Sequence, residues 1–271
     1  PAEVPMRIFP GVHYSMGGLW TTYSPADDLR GMKAGAPNSM MTNIEGLYAF
    51  GEVNYQYHGA NRLGANALLS CIFDGLFCGQ GVVNYVADRD GAVGDLGPGA
   101  YDAAKADEER LVDELVAADG DENPYVIGRE LGEEMTAACT VVKSEARLEQ
   151  ARETLAGLHE RYGRIRLSDT GLWTNQNLSY ARAVGDMLRI ADAMIEASLL
   201  RRESRGSHYR VDHPTRNDSE FLRTTVASYD RETGRPKIAY EDVEVGLVVP
   251  RERNYTKTHA PAKEEAATAA S

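Results

Sequence analysis

His13 and Arg62 are the side chains whose type and setting could do chemistry in this chain. An arginine presents a planar fork of donors that matches a carboxylate, and a histidine adds a donor that becomes cationic near neutral pH. Together they could clamp the two ends of a dicarboxylate. The same residues taken singly also fit a satisfied structural histidine and a loop arginine facing solvent or a surface acid. Arg62 lies in the run His58-Gly59-Ala60-Asn61-Arg62-Leu63-Gly64-Ala65-Asn66-Ala67-Leu68-Leu69, where small residues immediately precede an apolar-periodic segment. A helix beginning there offers unpaired amides and a positive dipole end to an anionic group or an electron-rich ring. Gly17, Gly18, Gly59 and Gly64 would let backbone approach a flat ring, which a methyl side chain would block.

The elements that must position these residues can be read from periodicity. Short apolar runs bounded by Gly and Pro, such as Met6 to Phe9 and Leu47 to Phe50, read as strands and turns. Leu68, Leu69, Ile72, Phe73, Leu76, Phe77 and Val83 recur at helical spacing, which predicts one buried helix from Asn66 to about Val86. The glycine-rich stretch Gly91 to Gly99 marks a boundary. Helical segments follow at Ala100 to Ala118, Pro124 to Val142, Ser144 to Tyr162 and Asn177 to Glu203, and the short links predict an antiparallel bundle. Beyond Gly206 the segments Phe221 to Tyr229 and Lys237 to Tyr240 predict a hairpin, with a further strand over Val245 to Val249. The Ala, Lys and Glu tail from Thr256 is expected to be disordered.

The expected fold class is α+β. Residues 1–90 are set apart as one unit, 91–206 as a helical domain with a bundle of three to four helices, 207–255 as a small β-containing unit and 256–271 as a tail. A net charge of −12 and a pI near 5.0 argue against a nucleic-acid-binding surface. Cys71, Cys78 and Cys139 have no metal-cluster spacing and read as buried thiols, so neither a metal site nor a disulfide framework is expected. No continuous apolar run of about 18 residues occurs, so no segment is expected to span a bilayer.

Four ordered motifs resemble the flavoprotein subunits of succinate dehydrogenase and fumarate reductase: HYSMGGLW from His13, MTNIEGLYAFGE from Met41, HGANRLGANALLS from His58 and ESRGSHYRVDHPTRND from Glu203. The resemblance covers nearly all of residues 1–255. It implies that residues 1–90 are the C-terminal part of an FAD-binding α/β domain, with FAD as cofactor and hydride transfer between a dicarboxylate, succinate or fumarate, and the flavin. His13 matches the histidine that binds one substrate carboxylate, and Arg62 the arginine that binds the other and polarises the substrate. Glu52 matches the acid that accepts hydrogen bonds from the FAD ribose. Ala67 and Leu68 match the pair whose backbone lies near the flavin pyrimidine edge; the family commonly has serine in place of Ala67, so the implied contact is through a backbone N–H. A helix start aimed at that edge would favour the reduced ring.

The resemblance also implies an iron–sulfur subunit and a membrane anchor subunit as partners, at the cytoplasmic face of the membrane. The basic run Arg201, Arg202, Arg205, His208, Arg210, His213 and Arg216 reads as internal ion pairs or as part of the iron–sulfur interface. No G-x-G-x-x-G occurs, and the glycines at 91, 94, 97 and 99 have the wrong spacing. The family's pyrophosphate loop, its FAD-linked histidine and its proton-transferring arginine are expected upstream of Pro1, so no catalytic acid is assigned in these residues. By itself the polypeptide is expected to bind FAD poorly and to leave succinate unoxidised. L-Aspartate oxidase shares HGANRL-like and ESRG-like segments and is the nearest alternative enzyme; a non-catalytic scaffold that docks a partner is the alternative from another class.

Overall fold

The computed structural model describes residues 13–28, 30–97, 99–230, 232–246 and 250–251. The expected strand at Met6 to Phe9, most of the one ending at Val249 and the tail from Thr256 lie outside the described residues.

Residues 13–65 are loops joined by single bridges, Leu19 to Asn54, Pro25 to Met32 and Met41 to Tyr48, with one 3-10 turn over Gly51–Val53. The strand expected at Leu47 to Phe50 is therefore reduced to one bridge at Tyr48. Its backbone groups are used in crossing contacts instead: the Leu47 carbonyl accepts from Thr42 N–H at 2.8 Å, and Ala49 N–H donates to the Met40 carbonyl at 3.0 Å. Helix α1 (Asn66–Phe73) runs through a π-type turn at Asp74–Cys78 into α2 (Gly79–Ala87). The expected helix is present, but the expectation that it is buried is not met: Leu68 is 74% and Leu76 83% exposed, and Leu69, Ile72, Val83 and Val86 are exposed as well. The span Asn66–Ala87 is long and apolar enough to cross a bilayer by composition, although it holds no uninterrupted apolar run. Length and mean composition thus admit a span here where run length did not, and neither measure decides what covers this face.

Four helices form the bundle: α3 (Asp102–Ala117), α4 (Pro124–Cys139), α5 (Glu145–Tyr162) and α6 (Gln176–Leu200). Each of the last three has a side chain satisfying an orphan amide at its start. Asn123 accepts from Tyr125 N–H at 2.8 Å, ahead of a proline at the first helical position. Ser144 accepts from Arg147 N–H, and Asn175 from Leu178 N–H at 2.9 Å. Their inward faces build the core from Ile127, Leu131, Leu148, Leu155, Val184, Leu188 and Ile195. Helix α4 stops at Cys139 rather than Val142, because Val142–Lys143 (β1) pairs in parallel with Tyr209–Arg210 (β2).

After the short helix α7 (Asp218–Phe221), strands β3 (Arg223–Asp230) and β4 (Arg235–Asp242) form the expected antiparallel hairpin, in register from Arg223 opposite Asp242 to Asp230 opposite Arg235. Asp230 accepts from Glu232 and Thr233 N–H in the turn. Val245 and Gly246 form no strand. The hairpin packs on α6, and Trp20 reaches it from the first region, its indole N–H donating to Glu241 Oε2 at 2.9 Å.

Candidate flavin and dicarboxylate site

Two loops meet in front of the start of α1. The Arg62 guanidinium carbon lies 5.2 Å from the centre of the Tyr14 ring, and the His58 ring meets the same tyrosine edge-on at 4.9 Å. Residues 14, 58 and 62 thus form one cluster, with His13 adjacent in sequence and exposed. Among the described residues no hydrogen bond joins His13 to Arg62; the contact seen between their loops is that of Arg62 and His58 with the Tyr14 ring. Arg62 spends one donor on the Leu63 carbonyl at 3.0 Å. Its Nε and the Tyr14 hydroxyl are buried without a hydrogen-bond partner among the described residues. Buried donors left unpaired cost free energy, and sites that bind ligands are where such a cost is tolerated.

Glu52 is exposed on the 3-10 turn and one of its oxygens accepts the Ser15 N–H at 2.7 Å. This bond fixes the segment that begins at His13. Gly18 packs against the carbonyl of Val53, where a Cβ would collide, so its absent side chain serves loop packing rather than a ring. Gly17, Gly59 and Gly64 have open space on that side. Ala65 takes a positive φ of 66° ahead of α1, and no side chain caps the helix. Its first amides, those of Ala67 and Leu68 among them, are the orphan donors every helix start carries.

Tyr14, His58, Tyr57 and Asp74 were not singled out from sequence. The first two sit inside the motifs, next to the chosen residues. Asp74 had a visible signal: an acid at the centre of the apolar run Ile72-Phe73-Asp74-Gly75-Leu76-Phe77. Cys78 and Cys139 are buried, whereas Cys71, expected to be buried, is exposed.

The arginines of the basic run are paired internally. Glu203, fully buried, accepts from Arg201 at 2.6 Å, from Arg205 at 2.7 and 2.9 Å and from Asn217 N–H at 2.9 Å. Burial pushes its carboxyl up, but Arg205, the Asn217 amide and Arg201 together hold it below the ordinary range. Arg210, also fully buried, grips Asp212 with two bonds of 2.8 Å. Glu145, Asp212 and His213 place ligand atoms within 4.8 Å of one another, but Asp212 is already neutralised by Arg210 and the trio makes a poor cation site. Acidic residues of α4 are tied down as well: Glu134 binds Arg147 at 2.5 Å, and Glu130 binds Arg161.

Two family profiles match the chain in order, one described as the FAD binding domain over residues 2–68 and one as the fumarate reductase flavoprotein C-terminal region over residues 128–255. The succinate dehydrogenase flavoprotein subunit of Bacillus subtilis is 42% identical over 258 residues, 95% of this chain and 41% of the relative. The chain belongs to the succinate dehydrogenase and fumarate reductase flavoprotein family. A solved quinol fumarate reductase chain from E. coli superposes with a TM-score of 0.72 at 32% identity, covering 79% of this chain and 36% of that one. The apo Sdh1 complex of Mycobacterium smegmatis gives 0.64 at 28% identity, over 72% of this chain and 32% of that one. The chain spans about two fifths of the length of the curated relatives it matches. The family cofactor is FAD, and His13, Glu52, Arg62, Ala67 and Leu68 all fall within the segment matched to the FAD binding domain. The donor set fits such a group: an uncapped helix start for an electron-rich edge and an exposed carboxylate for hydroxyl donors.

Proposed function

We propose that these residues form part of a flavoprotein subunit that interconverts succinate and fumarate and passes electrons to an iron–sulfur subunit. The observation that carries this reading is the cluster of Arg62, Tyr14 and His58 at the uncapped start of α1, with the Arg62 Nε and the Tyr14 hydroxyl buried and unpaired among the described residues. Arg62 binds one substrate carboxylate through its free donors and His13 binds the other from the adjoining strand of chain. Neutralising a carboxylate next to the reacting carbon makes its C–H easier to break, and holding both ends fixes that carbon for transfer. Glu52 would hold the ribose of FAD, and the Ala67 and Leu68 amides would donate towards its pyrimidine edge. When bound, FAD supplies the hydride acceptor for oxidation and the donor for reduction.

The exposed apolar face of Asn66–Ala87 fits burial beneath further polypeptide of a flavin domain better than it fits lipid, because Asp74 sits buried at its middle. In this reading residues 1–90 close the flavin domain, 91–206 form the helical domain and 207–255 the small β-containing unit. The iron–sulfur subunit and a membrane anchor hold the assembly at the cytoplasmic face. The test is succinate oxidation with an artificial electron acceptor by the holoenzyme carrying Arg62→Lys or His13→Gln. Loss of the arginine fork lowers kcat/KM by about 100-fold or more, and loss of the histidine raises KM for succinate about tenfold. Unchanged kcat/KM in both variants refutes the assignment, and turnover of L-aspartate in place of succinate selects the oxidase reading.

A further inference from the structure

We propose that Asp74 is the positioning residue of the dicarboxylate site, a latch whose two carboxylate oxygens each hold one of the two loops that carry the substrate-facing groups. The inference rests on the site reading above and adds to it a residue outside the motifs. Asp74 is completely buried, and among the described residues no Lys, Arg or His forms an ion pair with it. A buried carboxylate without a cation is costly unless neutral donors satisfy it. Its donors are Gly51 N–H to Oδ2 at 2.6 Å, the Tyr57 hydroxyl to Oδ1, and the Cys78 thiol to Oδ1 at 3.8 Å. Burial and the adjacent acid raise the Tyr57 hydroxyl, and they raise the Cys78 thiol to about 11, so both remain protonated donors at neutral pH.

Each oxygen leads to a different arm. From Oδ2 the path runs through Gly51 to the next residue, Glu52, which holds Ser15 N–H and so the segment bearing His13 and Tyr14. Gly51 adopts a φ of 69°, and a Cβ there would stand 2.8 Å from Cys71 Sγ, so this turn is pressed directly on α1. From Oδ1 the path runs through Tyr57 to its neighbour His58 and on to Arg62. The arms close on each other where His58 and Arg62 both contact the Tyr14 ring. One side chain on a helix therefore sets the relative placement of His13 and Arg62.

The test uses the holoenzyme and malonate, a non-reacting dicarboxylate, with binding read from the perturbation of the flavin absorbance spectrum. Tyr57→Phe frees one arm and raises the malonate Kd about tenfold while flavin content stays at the wild-type level. Asp74→Asn keeps one acceptor oxygen for three donors, weakens malonate at least as much, and also lowers the flavin retained after dialysis. KM for succinate rises in parallel, with kcat falling less. Arg62→Lys is the control for the site itself: if it loses malonate while both other variants bind it within twofold of wild type, the latch is refuted and the site stands. If Arg62→Lys also binds malonate normally, the site reading fails and the latch with it. Tyr57→Phe removes only a hydroxyl and keeps the ring packed on Phe73, so a folded protein is available even where Asp74 variants do not fold.

Discussion

The bundle and the first region solve the problem of burial in opposite ways. Helices α3 to α6 turn their apolar faces on one another and exclude water from a single core that runs from Leu115 to Leu199. The first region instead displays Leu68, Leu69, Ile72 and Leu76 on an open helix face and mixes a few buried apolar side chains, Met40 and Ala49 among them, with buried polar groups held by hydrogen bonds, those of Asp74, Asn54 and Thr21. The bundle is stabilised by what it already contains, whereas the site region is organised by hydrogen bonds and has apolar area still to bury. A scaffold and a site thus separate by which energy term holds each together.

Several substitutions break or sharpen this contrast. Glu203→Ala strands Arg201 and Arg205 without their shared acceptor, and breaking a buried pair from one side costs about 3–5 kcal/mol; urea unfolding monitored by far-UV circular dichroism measures it. Leu188→Ala, at a position with 0% exposure, leaves a cavity in the bundle and costs about 2–4 kcal/mol in the same assay.

His208 gives the junction a pH dependence. Burial, opposed by its Nε2–H donating to the Arg201 carbonyl at 3.1 Å, lowers its pKa to about 4. The folded chain holds it neutral while the unfolded chain protonates it below about 6.5. Its contribution is therefore complete above about pH 6.5 and is lost as pH falls towards 4, by about 1–3 kcal/mol. His208→Gln flattens that part of a stability profile taken between pH 7 and 4. The smallest effect is expected at the open face: Leu76→Asn changes the stability of this polypeptide by less than about 0.5 kcal/mol. The same substitution lowers flavin retention by the holoenzyme, measured after dialysis.

The bundle was legible in the sequence because helical periodicity is local: Leu178, Ala181, Val184, Leu188, Ala191 and Ile195 declare their face within a few turns. The hairpin was legible for the same reason, two alternating segments around Asp230. What escaped was non-local. The two-residue strands Val142–Lys143 and Tyr209–Arg210 meet across more than sixty residues, too short for a pattern to show. At the candidate site, the resemblance singled out His13, Glu52 and Arg62, while the contacts the structure shows there fall on their neighbours, Ser15 with Glu52 and Tyr14 with Arg62. Leu47 to Phe50 looked like a strand because its composition suits one, but no long partner lies beside it. Burial of Asn66–Ala87 was inferred from apolar spacing, which records that a face needs cover and says nothing of where the cover comes from.

The two tryptophans divide along the same line. Trp20 donates its indole N–H to Glu241 across the seam between the site region and the hairpin, while Trp173 is 89% exposed on the loop before α6. An emission spectrum of this protein consequently carries its own reference: the Trp173 signal stays at the wavelength of a solvated indole, and any blue or red movement reports the seam. With Trp173→Phe the remaining fluorophore follows closure of the first region on the rest of the chain without an attached dye.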